Sequence, residues 1–67
     1  MYIQYSKHAR SQMIARGISE NEVNEAIKSG SKHIQHPDKI VSDYKYFSLV
    51  YKKIGENIFV ITVKLRW

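Results

Sequence analysis

His8, Gln12 and Arg16 recur at every fourth position of a stretch, Lys7 to Arg16, that tolerates a helix throughout. On a helix they fall on one side, with His8 and Arg16 about 12 Å apart by helical rise. They are too far apart to grip one small group together, but they could flank an extended substrate such as an RNA strand. His8 would then exchange a proton near neutral pH, and Arg16 would hold a phosphate through two parallel hydrogen bonds. The competing structural reading has both side chains pairing with carboxylates or carbonyls and fixing helix to sheet.

Lys45, Tyr46, Lys52, Lys53, Lys64 and Arg66 form a second constellation, with Tyr44, Tyr51 and Trp67 among them. Cations attract phosphates and aromatic faces stack unpaired bases, the combination that single-stranded RNA requires. Lysines also guard edge strands against aggregation and tyrosines are common strand residues, so the same set also reads as ordinary strand surface. His33, Gln35, His36 and Asp38 include metal-ligand types, but on a strand His33 and His36 point to opposite faces. Only His8 could add to them and cysteine is absent, so no metal centre and no cofactor is expected. Glu20, Glu22 and Glu25 read as a solvated helix face suited to the positive N-terminal half rather than as acid/base groups. The three glycines stand alone, which excludes phosphate-binding and dinucleotide loops.

The elements that position these residues must come from a single domain, because 67 residues fall well short of two. A hydrophobic content of 43% supplies a core and excludes a disordered chain, while the lack of cysteine excludes disulfide scaffolds and thiol catalysis. Eleven Lys and Arg against six Asp and Glu leave a net charge of +5, which favours polyanionic partners such as nucleic acid. The start of the chain lacks a charged head followed by an apolar run, and no stretch is apolar enough for a membrane span. A cytoplasmic protein without a membrane partner is the expectation.

Tyr2 to Tyr5 reads as an edge strand, ended by Ser6, whose hydroxyl can cap a helix over Lys7 to Arg16 with Gly17 as its left-handed stop. Ala9 and Met13 are the apolar members of the His8 side, and Ile14 lies off it. A second helix is better marked. Ser19 and Glu22 match the capping box, Ile18 and Val23 the hydrophobic staple, and Val23, Ala26 and Ile27 an apolar stripe that stops at Gly30. His33 to His36 reads as a short strand broken at Pro37, Tyr44 to Ile54 as a longer one, and Ile58 to Trp67 as the last, with a hairpin turn at Gly55-Glu56-Asn57. Strict alternation in the last strand would put Phe59, Ile61, Val63, Leu65 and Trp67 on one face and Ile58, Val60, Thr62, Lys64 and Arg66 on the other. The predicted fold class is α+β: an N-terminal strand, two helices, then a three-stranded antiparallel meander, with the helices packed on one face of the sheet. The opposite face would be partly open and would carry Lys64 and Arg66.

His8-Ala9, Arg16-Gly17-Ile18-Ser19, Val23 and Ile27, with Val60-Ile61-Thr62-Val63 near the end, resemble a prokaryotic family known as domain of unknown function 4258. The resemblance runs over nearly the whole chain. The element order is also similar to the RelE/ParE toxin superfamily, including BrnT-like ribonuclease toxins. That likeness implies a RelE-like fold, metal-independent endoribonucleolytic cleavage of mRNA, in some members on the ribosome, and neutralisation by an antitoxin protein. Some members are directed at gyrase instead.

On this reading the RNA 2′-OH attacks the adjacent phosphate while cations stabilise the charge and an acid protonates the leaving oxygen. His8, Arg16 and Arg66 are the candidate catalytic residues, with His8 as proton carrier. Lys45, Tyr46, Lys52, Lys64 and Arg66 are the candidate nucleic-acid-binding residues. The alternative is a non-catalytic module that binds nucleic acid or a protein through the same surface. A third reading is an interaction protein whose free sheet edge pairs two copies or receives an antitoxin segment.

Overall fold

Ser6 ends the first strand and opens the first helix in one step. Its backbone N–H donates to Val60 O at 2.9 Å, and its hydroxyl donates to Ile61 O at 2.7 Å while accepting the Ala9 N–H at 2.9 Å. The computed structural model describes residues 2–35 and 37–66. The elements are β1 (Tyr2–Tyr5), α1 (Lys7–Arg16), α2 (Glu20–Ser29), β2 (Ser31–Gln35), β3 (Lys39–Tyr44), β4 (Phe47–Ile54) and β5 (Asn57–Leu65).

Both helices form where their local signals place them. Ala9 and Met13 are buried, whereas Ile14 is 80% exposed, so α1 docks through a narrow stripe. Gly17 adopts φ 67°, the left-handed conformation that a Cβ disfavours, and the next N–H, from Ile18, returns to Met13 O at 2.9 Å. At α2 the capping box is complete: Ser19 Oγ accepts the Glu22 N–H at 3.1 Å and Glu22 Oε1 accepts the Ser19 N–H at 3.0 Å. Ile18 and Val23 are both buried, as a staple requires, and Ala26 and Ile27 continue the buried stripe.

The strands form one five-stranded mixed sheet in the order β1-β5-β4-β3-β2. This corrects the expected three-stranded meander. Four antiparallel strands, β2 to β5, follow one another, and β1 joins the far edge parallel to β5. By sequence pattern, residues 39–43 lie outside any strand and the middle strand starts at Tyr44, whereas β3 occupies Lys39–Tyr44 and a turn that nothing at Tyr44–Phe47 announces precedes β4. Lys45 makes it by adopting φ 51°, the only non-glycine residue with positive φ among those described. The strand expected at His33 to His36 begins two residues earlier, at Ser31, and runs to Gln35; His36 lies outside the described residues.

The last strand departs from strict alternation. Val50 pairs with Thr62, but the next residue, Tyr51, pairs with Val60, so Ile61 is a bulge without a partner on β4. Adjacent carbonyls of a regular strand point to opposite edges; here Ser6 donates to both Val60 O and Ile61 O, and the extra residue makes that possible. The bulge reverses the parity on either side of itself. Ile58, Val60 and Val63 join Phe47, Leu49 and Tyr51 under the helices, whereas Phe59, which alternation had placed with Val63, turns to the other face. Trp67, assigned to the same face by that alternation, lies outside the described residues.

Candidate functional site

With both helices on one side, the other side of the sheet is left to strand side chains alone. Register places them in rows. Gln4, Phe59 and Lys52 are neighbours across β1, β5 and β4. His33, Val41, Val50 and Thr62 form the next row, and Ser31, Asp43, Ser48 and Lys64 the third. Val41 and Val50 are buried although no helix covers them. Ser48 donates its hydroxyl to Asp43 Oδ1, and Lys52 Nζ lies 3.5 Å from the Asp38 carboxylate. Tyr2 extends the face at its β1 edge and is largely exposed.

The cations named from sequence therefore separate. Lys52 and Lys64 stand on the open face. Arg66 lies at the β3–β4 turn, where its backbone N–H donates to Tyr46 O at 3.1 Å and its guanidinium to Lys45 O at 3.0 Å. Lys45 sits over the Tyr44 ring, 5.3 Å from its centre. His8 is exposed on α1, and Arg16 is exposed further along it, donating to Gln12 Oε1 at 3.0 Å. No contact among the described residues gathers His8, Arg16 and Arg66 into one constellation. The arginine that does fix a helix is Arg10, which meets Glu20 at 2.9 Å and stacks over Tyr5 at 4.4 Å. Burial first, then the Glu20 charge, holds the Tyr5 hydroxyl above its usual pKa, against the opposing pull of Arg10.

Tyr46 is engaged on the helix side rather than on the open face. Its hydroxyl donates to Glu22 Oε2 at 3.0 Å and its ring meets Phe47 edge-on at 5.4 Å. The hydrogen bond from the Ser19 backbone, followed by that from Tyr46, holds the Glu22 carboxyl below its ordinary value of 4.5. The bond to Glu22 raises the Tyr46 hydroxyl above 10.0. A depressed carboxylate contributes stability above its unfolded pKa and loses it as pH falls through the folded one; the raised phenol contributes below its unfolded pKa and loses it as pH rises. Thermal melts between about pH 3 and pH 7 should therefore show a steeper acid loss for the wild type than for Glu22→Gln. Parallel curves would mean that the strut carries no differential proton binding. Ser19→Ala should separately lower stability by about 1 kcal/mol through the lost cap.

Sequence patterning passed over the residue that most alters this face. Strict alternation places Phe59 on the core side, and only the β1 and β4 registers reveal it between Gln4 and Lys52. Among the described residues, no three His, Cys, Asp or Glu side chains gather as a metal ion would require. His33 stands on the open face, Asp38 accompanies Lys52, and His36 is not described.

A single mixed sheet layered by two helices on one side and left open on the other is the class to which this protein belongs. The chain is a member of the family described as Domain of unknown function (DUF4258), whose model matches residues 5–64. Comparison with curated proteins and with solved structures finds no match. No helix among the described residues is long and apolar enough to cross a membrane.

Proposed function

We propose that the open sheet face binds single-stranded nucleic acid. The observation that carries this reading is the row Gln4–Phe59–Lys52, an aromatic ring flanked by an amide and a cation on a face without helices. Lys64 lies further along that face and Tyr2 at its edge, so cations for phosphate and rings for stacking are spread along it. Stacking is indifferent to base identity and contributes about 1–3 kcal/mol per base, while each lysine acts through counterion release. The net charge of +5 adds long-range attraction.

Fluorescence anisotropy with a labelled single-stranded RNA tests this. Phe59→Ala should weaken binding about tenfold at unchanged salt dependence, and Lys52→Ala and Lys64→Ala should each reduce the salt slope by about one. Affinity indifferent to all three substitutions would refute the assignment of the face. Running the same RNA on a denaturing gel, with chelator and with translating ribosomes, separates binding from cleavage. In the ribonuclease reading His8 carries the proton and Arg16 and Arg66 hold phosphates. It requires new RNA ends that persist in chelator and disappear in His8→Ala and Arg66→Ala; intact RNA that binds supports the non-catalytic module.

A further inference from the structure

On the helix side, below the last turn of α2, a cavity of about 390 Å³ opens between that helix and the sheet. This is within the size range of small-ligand sites. Four elements supply its apolar lining: Ile27 from α2, Ile40 from β3, Tyr51 from β4 and Ile58 from β5. Charged residues line the same space, Lys32 from β2, Lys53 from β4 and Glu56 from the β4–β5 turn. The result is a half-open, largely apolar cavity bordered by two exposed cations and one exposed anion.

Tyr51 is the telling residue. It is only 2% exposed, yet its hydroxyl makes no hydrogen bond among those of the described residues. That oxygen is not sealed off, since no buried side-chain N or O atom without a partner occurs among the described residues. A nearly buried phenol whose tip retains access, in a residue that lines a cavity, presents that tip to the cavity. Burial raises its pKa, and the phenol keeps its proton and can donate a hydrogen bond. Lys32 Nζ is held at the end of α2 by Gly30 O at 3.2 Å, which leaves two of its three donors free. No carboxylate among the described residues forms an ion pair with Lys32 or Lys53.

We propose that this cavity binds a small amphipathic carboxylate, with its apolar body against Ile27, Ile40 and Ile58 and its carboxylate facing the Lys32 and Lys53 ammonium groups and the Tyr51 hydroxyl. Two cations against Glu56 favour an anion over a cation, and the apolar walls favour a hydrocarbon or ring over a hydrophilic ion such as phosphate. The site lies across the sheet from the proposed nucleic-acid face and stands independently of it.

Amide NMR titration of the folded chain with hexanoate, hexan-1-ol and hexylammonium tests the assignment. Hexanoate should shift the amides of Ile27, Lys32, Lys53 and Gly55 in a saturable way and bind about fivefold more tightly than hexan-1-ol, with hexylammonium weakest. The Lys32→Ala/Lys53→Ala double substitution should bring hexanoate down to the affinity of hexan-1-ol, and Tyr51→Phe should weaken it about threefold without altering the alcohol. Because Tyr51 is buried, the amide spectrum of Tyr51→Phe also confirms that the fold persists. Equal affinity for acid and alcohol, tighter binding of the amine, or shifts confined to other parts of the chain would each overturn the proposal.

Discussion

Phe47→Ala should leave the chain largely unfolded at physiological temperature. Phe47 is wholly buried at the start of β4, with Tyr44 edge-on at 6.0 Å and Tyr46 at 5.4 Å, and it belongs to the cluster shared by both helices and the sheet. Truncating a buried phenylalanine removes its transfer energy and leaves a cavity, a loss of about 3–5 kcal/mol. A domain of this length holds roughly 3–10 kcal/mol in total. No disulfide or other covalent cross-link makes up the deficit, since cysteine is absent. Urea denaturation followed by circular dichroism measures the difference. Phe59→Ala is the informative comparison, because it lies on the open face beyond the bulge and should cost only about 1 kcal/mol. Similar losses for the two phenylalanines would show that β5 does not change parity at Ile61.

Gly30→Ala should be nearly as damaging, for a reason unrelated to backbone freedom. Gly30 has φ −69°, which any residue adopts. A Cβ there would lie 2.0 Å from Ser42 Oγ, 2.6 Å from Ala26 O and 3.1 Å from Asp43 O. Ser42 Oγ cannot simply move aside, since it is fully buried and donates to Ala26 O at 2.6 Å, tying the end of α2 to β3. Two of the three obstructing atoms are backbone, so the helix end itself must shift, at a cost of about 3 kcal/mol. Ser42→Ala alone should cost about 1 kcal/mol, because Ala26 O keeps the Gly30 N–H at 2.9 Å. Combined with Gly30→Ala it should cost less than the sum, since one clash is then relieved. Additive losses in the double-mutant cycle would show that the side chain of Ser42 is not what crowds this position.

These two residues also show how far patterning reaches. Phe47 could be read as strand material from its neighbours, but its position beside the turn could not, because a lysine makes that turn without any of the residues that ordinarily announce one. Gly30 could be read as the end of α2, and is. The close approach that makes glycine obligatory there comes from Ser42 of β3, twelve positions later. The candidate site divides in the same way. Lys52 and Lys64 are legible as strand cations, whereas their company, Phe59 for one and Ser48 and Asp43 for the other, emerges only from register.

The helices owe their positions to interactions within a few residues: Ser6 with Ala9, Ser19 with Glu22, and Gly17 with the last turn of α1. Hydrogen bonds of that range are inherent in the order of residues, so the sequence alone determined both helices and, with its cluster of lysines and arginines, the basic character of the protein. The faces of the sheet were decided in the tertiary structure. The Ser6 hydroxyl reaches Ile61, 55 residues away, at the bulge where β5 exchanges its two faces. A periodicity of two has no means of registering a partner so distant, and one unpaired residue is enough to turn Phe59 out of the core.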